Sequence, residues 1–272
     1  MPEIILFQTA DQDRYFPMLM ATLPANRAFC LRRGIRMEVF IGVRRGFHPW
    51  QAAYNRLGFL ADRLAEDYRG WVVHLDADAF IADQRFDLAG YLAGHQDAGH
   101  ALIHPPGSRQ AAWDVNSGVF LWDLGQEAAR EAARRWIAAF AAIPDAALRQ
   151  AGEWNEVEND QRMLQRHLRD DPALLAALHI EADALIGYQH SRFIKQFVTN
   201  DQHSLEQRTD RIAQAVARVM PPAWASAPAQ AGGDLRQAAA LLRNAEPEAL
   251  QQALPKPEAA QLAVAMAELL RG

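Results

Sequence analysis

The chain carries one cysteine, Cys30, in 272 residues. One thiol cannot close an internal disulfide, which excludes the stapled scaffold of small secreted proteins. It also excludes a structural zinc site built on paired thiolates. Long apolar runs are missing as well, and nothing approaches the ~18 unbroken apolar residues of a membrane-spanning helix. Met1-Pro2-Glu3 offers no positive n-region and only residues 4–7 are continuously apolar, so no signal peptide is expected and a cytoplasmic location is the default. There is no basic excess: 28 Lys+Arg against 33 Asp+Glu leave a net charge of −5, the reverse of a dedicated nucleic-acid binder. Gly-x-Gly-x-x-Gly and Gly-x4-Gly-Lys-Ser/Thr do not occur, so neither a dinucleotide fingerprint nor a P-loop is present. Gly-x-Ser-x-Gly, the nucleophile elbow of serine hydrolases, is absent too.

What is present is an ordinary globular composition, 50% hydrophobic and 22% charged. A length of this order, at ~150 residues per domain, allows one large core or two small ones. Residues 4–9 form a β-rich run. Residues 15–33 carry Phe16, Leu19, Met20, Leu23, Phe29 and Leu31 at helical spacing, with a kink or restart expected at Pro24 and a C-cap at Gly34. A second strand is read at 37–43, a helix opened by Pro49 runs to about residue 68, and 71–75 is a third strand. Further strands are expected at 101–104, 119–122 and 179–188, and helices at 125–142 (peripheral and amphipathic) and 156–169. Such alternation means α/β architecture with crossover units. After Met220 the composition shifts to Ala, Pro and Gly, which marks a linker over 221–233 and a C-terminal helical appendage over 234–272. The first 220 residues are then the main domain.

The main chemical feature is Asp76-Ala77-Asp78, directly after the third strand. Residues two apart in extended chain share a side, so both carboxylates reach one point. Open α/β sheets bind ligands at the carboxyl ends of their strands. Two like charges held there call for a cation, and Mn²⁺ or Mg²⁺ takes one or two carboxylates plus phosphate oxygens. Asp11-Gln12-Asp13 has the same spacing without apolar flanks and reads as a solvated loop or helix start. Asn116-Ser117-Gly118 opens an apolar strand with donors, acceptors and room for close backbone approach. Glu156-Val-Glu158-Asn159-Asp160-Gln161 is either an acidic first helical turn or a carboxylate and an amide placed for sugar hydroxyls. His190, Arg192 and Lys195 bring a neutral imidazole and two phosphate-neutralising cations. His95, His100 and His104 flank Gly94, Gly99 and a Pro-Pro pair and read as loop histidines. Arg32-Arg33 and Arg44-Arg45 read as solvated surface, with contact to anionic lipid or a charged glycan as the alternative.

In this order the motifs resemble those of the GT-A fold glycosyltransferases. The variant they resemble most is the retaining galactosyl- and mannosyltransferase type of yeast α-mannosyltransferases and plant xyloglucan xylosyltransferases. The resemblance spans about residues 4–197. Asp-x-Asp and Asn-Ser-Gly are shared by many GT-A families, whereas the segment Asn26-Arg27-Ala28-Phe29-Cys30-Leu31-Arg32-Arg33-Gly34 and Asn159-Asp160-Gln161 point to this one more narrowly. It implies a Rossmann-type mixed sheet flanked by helices. It implies a metal-dependent enzyme that moves a hexose or pentose from a UDP- or GDP-sugar to a hydroxyl of a glycan or glycolipid, with retention. By position, Asp76, Asp78 and His190 would hold Mn²⁺ (or Mg²⁺). Thr9, Ala10, Tyr15, Ala77, Ser117, Gly118, Arg192 and Lys195 would contact the donor. Asn116, Asp160 and Gln161 would act at the transferred sugar. Where the family has a glycine turn after the late histidine, this chain has Ser191-Arg192-Phe193.

Two other readings stay open at this stage. A phosphatase of the haloacid dehalogenase type also uses Asp-x-Asp after a strand, though Phe80 stands where that family has threonine. A non-catalytic nucleotide-sugar-binding or scaffold protein is the other. No nucleic-acid partner is expected. Peripheral membrane contact and homo-oligomerisation stay open.

Overall fold

All seven residues of Ile4–Ala10 are buried, so this first strand, β1, has cover on both faces. The computed structural model describes residues 3–109, 111–198 and 203–220. After β1 come α1 (Phe16–Arg33), β2 (Arg36–Ile41), a 3-10 segment (Pro49–Tyr54), α2 (Asn55–Ala65), β3 (Trp71–Leu75), β4 (Ala79–Ile81), α3 (Leu88–Asp97), β5 (Leu102–His104) and β6 (Val119–Asp123). They are followed by α4 (Glu127–Ala141), α5 (Asp145–Gln150), α6 (Asp160–Asp170), α7 (Pro172–Ala176), β7 (Leu178–Ile180), β8 (Ile194–Gln196) and α8 (Leu205–Val219). The linker and appendage expected at 221–272 lie outside the described residues.

Six strands form one mixed sheet in the order β2-β1-β3-β6-β5-β7. β1 runs parallel to β2 and β3, while β6 is antiparallel to both β3 and β5. β4 and β8 make a separate antiparallel pair beside it. The period-two alternation of side chains divides the core between the two faces. Ile5, Phe7, Val72, Phe120 and Trp122 join Leu60, Trp136 and Leu164 on one side. Leu6, Val73, Leu75, Val119 and Leu121 join Phe29, Cys30, Leu88 and Leu92 on the other. The expected α/β class, with helices flanking a mixed sheet, is the one observed. Cys30 is an inert packing residue: burial alone pushes its thiol up to about 12.

Several boundaries differ from expectation, each for a local reason. α1 runs unbroken through Pro24 and ends at Gly34, whose left-handed φ of 64° favours glycine. The helix after Pro49 starts as a 3-10 segment and stops at Ala65, just before Asp67 turns to a positive φ of 51°. The helix expected from 156 begins only at Asp160, because Asn159 is its N-cap and accepts from the Arg162 amide at 3.0 Å. The strand expected over 179–188 is only Leu178–Ile180. Of the three supposed loop histidines only His100 lies in a loop. His95 sits in α3, and His104 is buried in β5, accepting from Trp122 Nε1 at 2.8 Å. Asp11 is buried rather than solvated, and its carboxylate accepts from the amides of Asp13, Arg14 and Tyr15 at the entry to α1. The paired arginines have protein partners: Arg32 donates to Gln84, Arg33 to Phe86 O, Arg44 to Asp62 and Arg45 to Asp145. Among the described residues no helix is long and apolar enough to cross a membrane.

Asn26 shows why one polar residue lies on the buried face of α1. Its Nδ2 donates to Ala79 O at 3.2 Å and its Oδ1 accepts from Ile81 N at 2.8 Å, so α1 takes the place of a neighbouring strand for β4. Asn26→Ala leaves the buried Ile81 N–H unpaired, at about 1–3 kcal/mol, while Ala79 O keeps the Gln8 amide as its donor at 3.1 Å. Urea unfolding is expected to register that loss, and an unchanged midpoint would show that the contact contributes nothing.

Candidate active site

The acidic pair sits where β3 ends. Asp76 and Asp78 do not lie on extended chain as their spacing suggested. Ala79 N donates back to Asp76 O at 2.9 Å, so the pair forms a reverse turn between β3 and β4. Neighbouring elements hold the turn by its backbone. Gly118 O accepts from Asp76 N at 2.7 Å, and Thr22 Oγ1 donates to Ala77 O at 3.1 Å. Gln8 Nε2 donates to Asp76 O at 3.2 Å, and Asp78 O accepts from Phe197 N at 3.0 Å. The carboxylates converge for this reason, not through strand alternation.

The two acids have different environments. Burial works against an ionised Asp76, but Arg56, His74 and Arg208 outweigh it and hold that carboxyl below the ordinary range. Arg56 Nη2 donates to Asp76 Oδ1 at 2.5 Å, and His74 Nε2 faces the same oxygen at 3.3 Å. Burial, which disfavours charge, pushes the His74 ring down to about 4, so it is neutral at pH 7. Asp78 is pushed up to about 7, by burial first and by the Asp76 charge second. Its Oδ1 accepts from Gln196 Nε2 at 3.1 Å, and its Oδ2 lies 3.9 Å from Arg208 Nη2. Asp76 has one oxygen held by Arg56 and Asp78 one by the Gln196 amide, and each has a second to offer a hard cation.

Asn116, Ser117 and Gly118 lead into β6 beside this turn. Asn116 Nδ2 donates to Gln196 Oε1 at 2.8 Å, and Asn116 Oδ1 accepts from Gly118 N at 2.8 Å. Ser117 Oγ donates to Asp160 Oδ2 at 2.9 Å, and Ser117 N donates to Gln161 Oε1 at 3.1 Å. The start of α6 is therefore fastened to the triplet. Arg56 Nη1 lies 3.3 Å from Asp160 Oδ2 and also donates to Ser117 O. Burial raises the Asp160 carboxyl, against the pull of Arg56. A Cβ at Gly118 would sit 2.6 Å from Asp76 Oδ2 and against the Gln196 amide. Glycine is required there by close approach. Thr9 and Ala10 end β1 on the neighbouring strand: Thr9 Oγ1 accepts from Asn55 Nδ2 at 2.8 Å and Ala10 O from Gly42 N at 2.9 Å. Tyr15 follows, with the Arg14 guanidinium 5.4 Å from its ring centre.

Three expected residues are not brought to the pair. His190 is exposed and faces Asp183, Nε2 to Oδ2 at 3.5 Å; the ligand atoms of Asp76, Asp78 and His190 do not form a cluster among the described residues. Arg192 is exposed and lies 6.0 Å from the Phe86 ring. Lys195 Nζ donates to Gln189 O at 2.6 Å; its neighbour Gln196 is the β8 residue that meets Asp78.

Four contributors were not anticipated: Arg56, His74, Gln196 and Arg208. Arg56 had a signal, since it falls in the apolar phase of α2 with Phe59, Leu60 and Arg63, all buried. His74 likewise lies inside a fully buried strand. Gln196 and Arg208 had none, because only the fold carries β8 and α8 to Asp78.

The same fold occurs in solved glycosyltransferases. A glycosyltransferase involved in the glycosylation of the major capsid of PBCV-1 superposes with a TM-score of 0.56 over 78% of this chain and 100% of that one, at 12% identity. The bifunctional glycosyltransferase WbbM superposes with a TM-score of 0.50 over 83% of this chain and 51% of that one, at 9% identity. No family model and no curated protein sequence matches the chain. The six-stranded mixed sheet with its flanking helices is thus the GT-A glycosyltransferase fold. The acidic turn after β3 is its candidate active site.

Two measurements test this electrostatic layout. Removing one partner of a buried ion pair costs about 3–5 kcal/mol, so Arg56→Met is expected to lower urea stability by that order; a near-neutral outcome would contradict the central role of Arg56. For Asp78 the folded carboxyl, at about 7, lies above its ordinary 3.8. The folded state then binds the extra proton, and metal-free stability falls as pH rises from about 4 through 7. Asp78→Asn lacks this loss. In chelator the melting-temperature difference, Asp78→Asn minus wild type, should grow by several degrees from pH 4 to pH 8; parallel curves would refute the assignment.

Proposed function

We propose that the protein is a metal-dependent glycosyltransferase that takes its sugar from a nucleotide diphosphate donor. The observation that carries this reading is the Asp76–Asp78 pair, held as a turn in a GT-A fold with one oxygen of each acid engaged by the protein. The donor set is two hard carboxylate oxygens, and the Asp78 proton near neutral pH reflects a charge that a divalent cation would relieve. Asp76 and Asp78 would hold Mn²⁺ or Mg²⁺, which supplies charge neutralisation to a leaving diphosphate when bound.

The chain's own residues account for the rest of the reading. Arg208, beside Asp78, is the cation best placed to add positive charge at the phosphates, in the role first assigned to Arg192 and Lys195. Thr9, Ala10 and Tyr15 at the end of β1 would line the nucleoside. Gln161 has its carbonyl occupied by Ser117, which leaves its NH₂ to donate to the transferred sugar. Asp160 would stabilise positive charge at the anomeric carbon by its field. It is tied down by Ser117 and Arg56, which makes it a poor mobile base. That constraint favours retention, in which a leaving phosphate oxygen takes the proton of the acceptor hydroxyl. The same constraint on Asp76, bound by Arg56 and His74, argues against a phosphoaspartate nucleophile and so against the phosphatase reading.

A thermal-shift panel of UDP-, GDP- and CMP-sugars with and without Mn²⁺ tests the proposal. At least one donor is expected to stabilise the wild type by several degrees in a metal-dependent way, with Asp78→Asn losing that shift while staying folded. Equal stabilisation of both proteins would overturn the role of the pair. Donor binding without sugar transfer or donor hydrolysis would favour a non-catalytic binding protein.

A further inference from the structure

Away from the acidic turn, three imidazoles meet at the far edge of the sheet. His95 belongs to the last turns of α3, His100 to the loop that follows, and His179 to the edge strand β7. Their ring centres lie 5.2, 4.5 and 4.8 Å apart. One ligand nitrogen from each falls within 4.8 Å of the other two. β7 is three strands from β3, roughly 14 Å across the sheet at about 4.8 Å per strand. The cluster is thus separate from the donor site.

We infer that His95, His100 and His179 form a binding site for a single Zn²⁺ ion, with the fourth position open to solvent. The first support is the contact between His95 Nδ1 and His100 Nδ1 at 3.0 Å. Two ring nitrogens at that distance repel through their lone pairs unless one carries a proton, and a cation between them satisfies both. Tetrahedral Zn²⁺ at about 2.0–2.1 Å from nitrogen sets its ligands roughly 3.3 Å apart, so small side-chain rotations close the site. The second support is Glu181. Its Oε2 lies 3.5 Å from His179 Nε2 and 3.8 Å from His95 Nε2, and accepts from the Tyr91 hydroxyl at 2.6 Å. A carboxylate facing the outer ring N–H is the usual orienting partner of a metal-bound histidine. With Nε2 of His95 protonated toward Glu181, its Nδ1 is left as the ligand. The third support is chemical type. Three imidazoles without thiolates suit zinc-class cations rather than Mg²⁺ or Ca²⁺. The rings are half-buried, so an ion can enter from solvent. Bound there, the ion would clip the end of α3 and the α3–β5 loop to a three-residue edge strand whose strand neighbour among the described residues is β5.

The test is calorimetric titration of the chelator-stripped full chain with Zn²⁺ alone. The wild type is expected to bind one equivalent at this site, and Asp76→Asn/Asp78→Asn to keep that binding. His100→Ala is expected to weaken it by at least about tenfold, as losing even an outer partner does. No uptake by the wild type, uptake unchanged in His100→Ala and His179→Ala, or uptake that requires the aspartate pair would each overturn the assignment. X-ray absorption on the singly loaded wild type removes dependence on the variants: three imidazole ligands are expected, and an oxygen-only shell would refute the site. None of these results bears on sugar transfer, which is tested at the other site.

Discussion

One buried guanidinium organises the end of the sheet that carries the candidate active site. Arg56 is 2% exposed and spreads its donors over Asp76, Asp160, Ser117 O and Ala53 O. These groups come from segments more than a hundred residues apart in the chain. Burying arginine this deeply is unfavourable unless its charge and its N–H groups are all answered. The two carboxylates supply the charge, and the backbone carbonyls of the 3-10 segment and the Asn-Ser-Gly triplet supply the remaining acceptors. The pairing works in both directions, since the Arg56 charge lowers both carboxyls against the burial that raises them. Position and charge state are therefore set by the same contact.

Asp78 is the exception. Among the described residues its carboxylate has neutral donors, Gln196 and its own amide, in hydrogen-bond range, and Arg208 at 3.9 Å. A fold selected purely for stability would replace it by an apolar residue, as its neighbours Ala79 and Phe80 are fully buried. The surrounding hydrogen bonds instead keep the turn backbone fixed while the carboxylate stays electrostatically unsatisfied. This is the arrangement expected where a ligand completes the site.

Much of the fold was legible because its signals are local. The mostly apolar runs at β1, β3 and β6 and the helical phase of α1 identify themselves, and Gly34 marks the helix end by its conformation. The short elements were legible only in part: three-residue β5 lies in the expected 101–104 run and β7 at the start of the expected 179–188 strand, while β4 and β8 are too short for a period to register. Of the candidate site, the acidic pair, the Asn-Ser-Gly triplet and Asp160-Gln161 carried sequence signals, and the structure brings them together through Arg56, Ser117 and Gln196. The basic residues after Gly187 were misplaced. Strand β8 turns Gln196 to the pair while Lys195 meets the Gln189 carbonyl, and Arg192 emerges on the side of Phe86. A nearby charge in sequence says nothing about the face from which it projects.

Helix α8 gives the site an order of assembly. Arg208 reaches back 190 residues to donate to the Met18 sulfur while lying beside Asp78. A nascent chain that has exposed only its first two hundred residues already contains the sheet and both aspartates, yet lacks the cation opposite Asp78. During synthesis, where early segments fold before later ones emerge, the sheet precedes a complete site. Docking of α8 onto α1 is then the step that completes the candidate site on an already folded sheet.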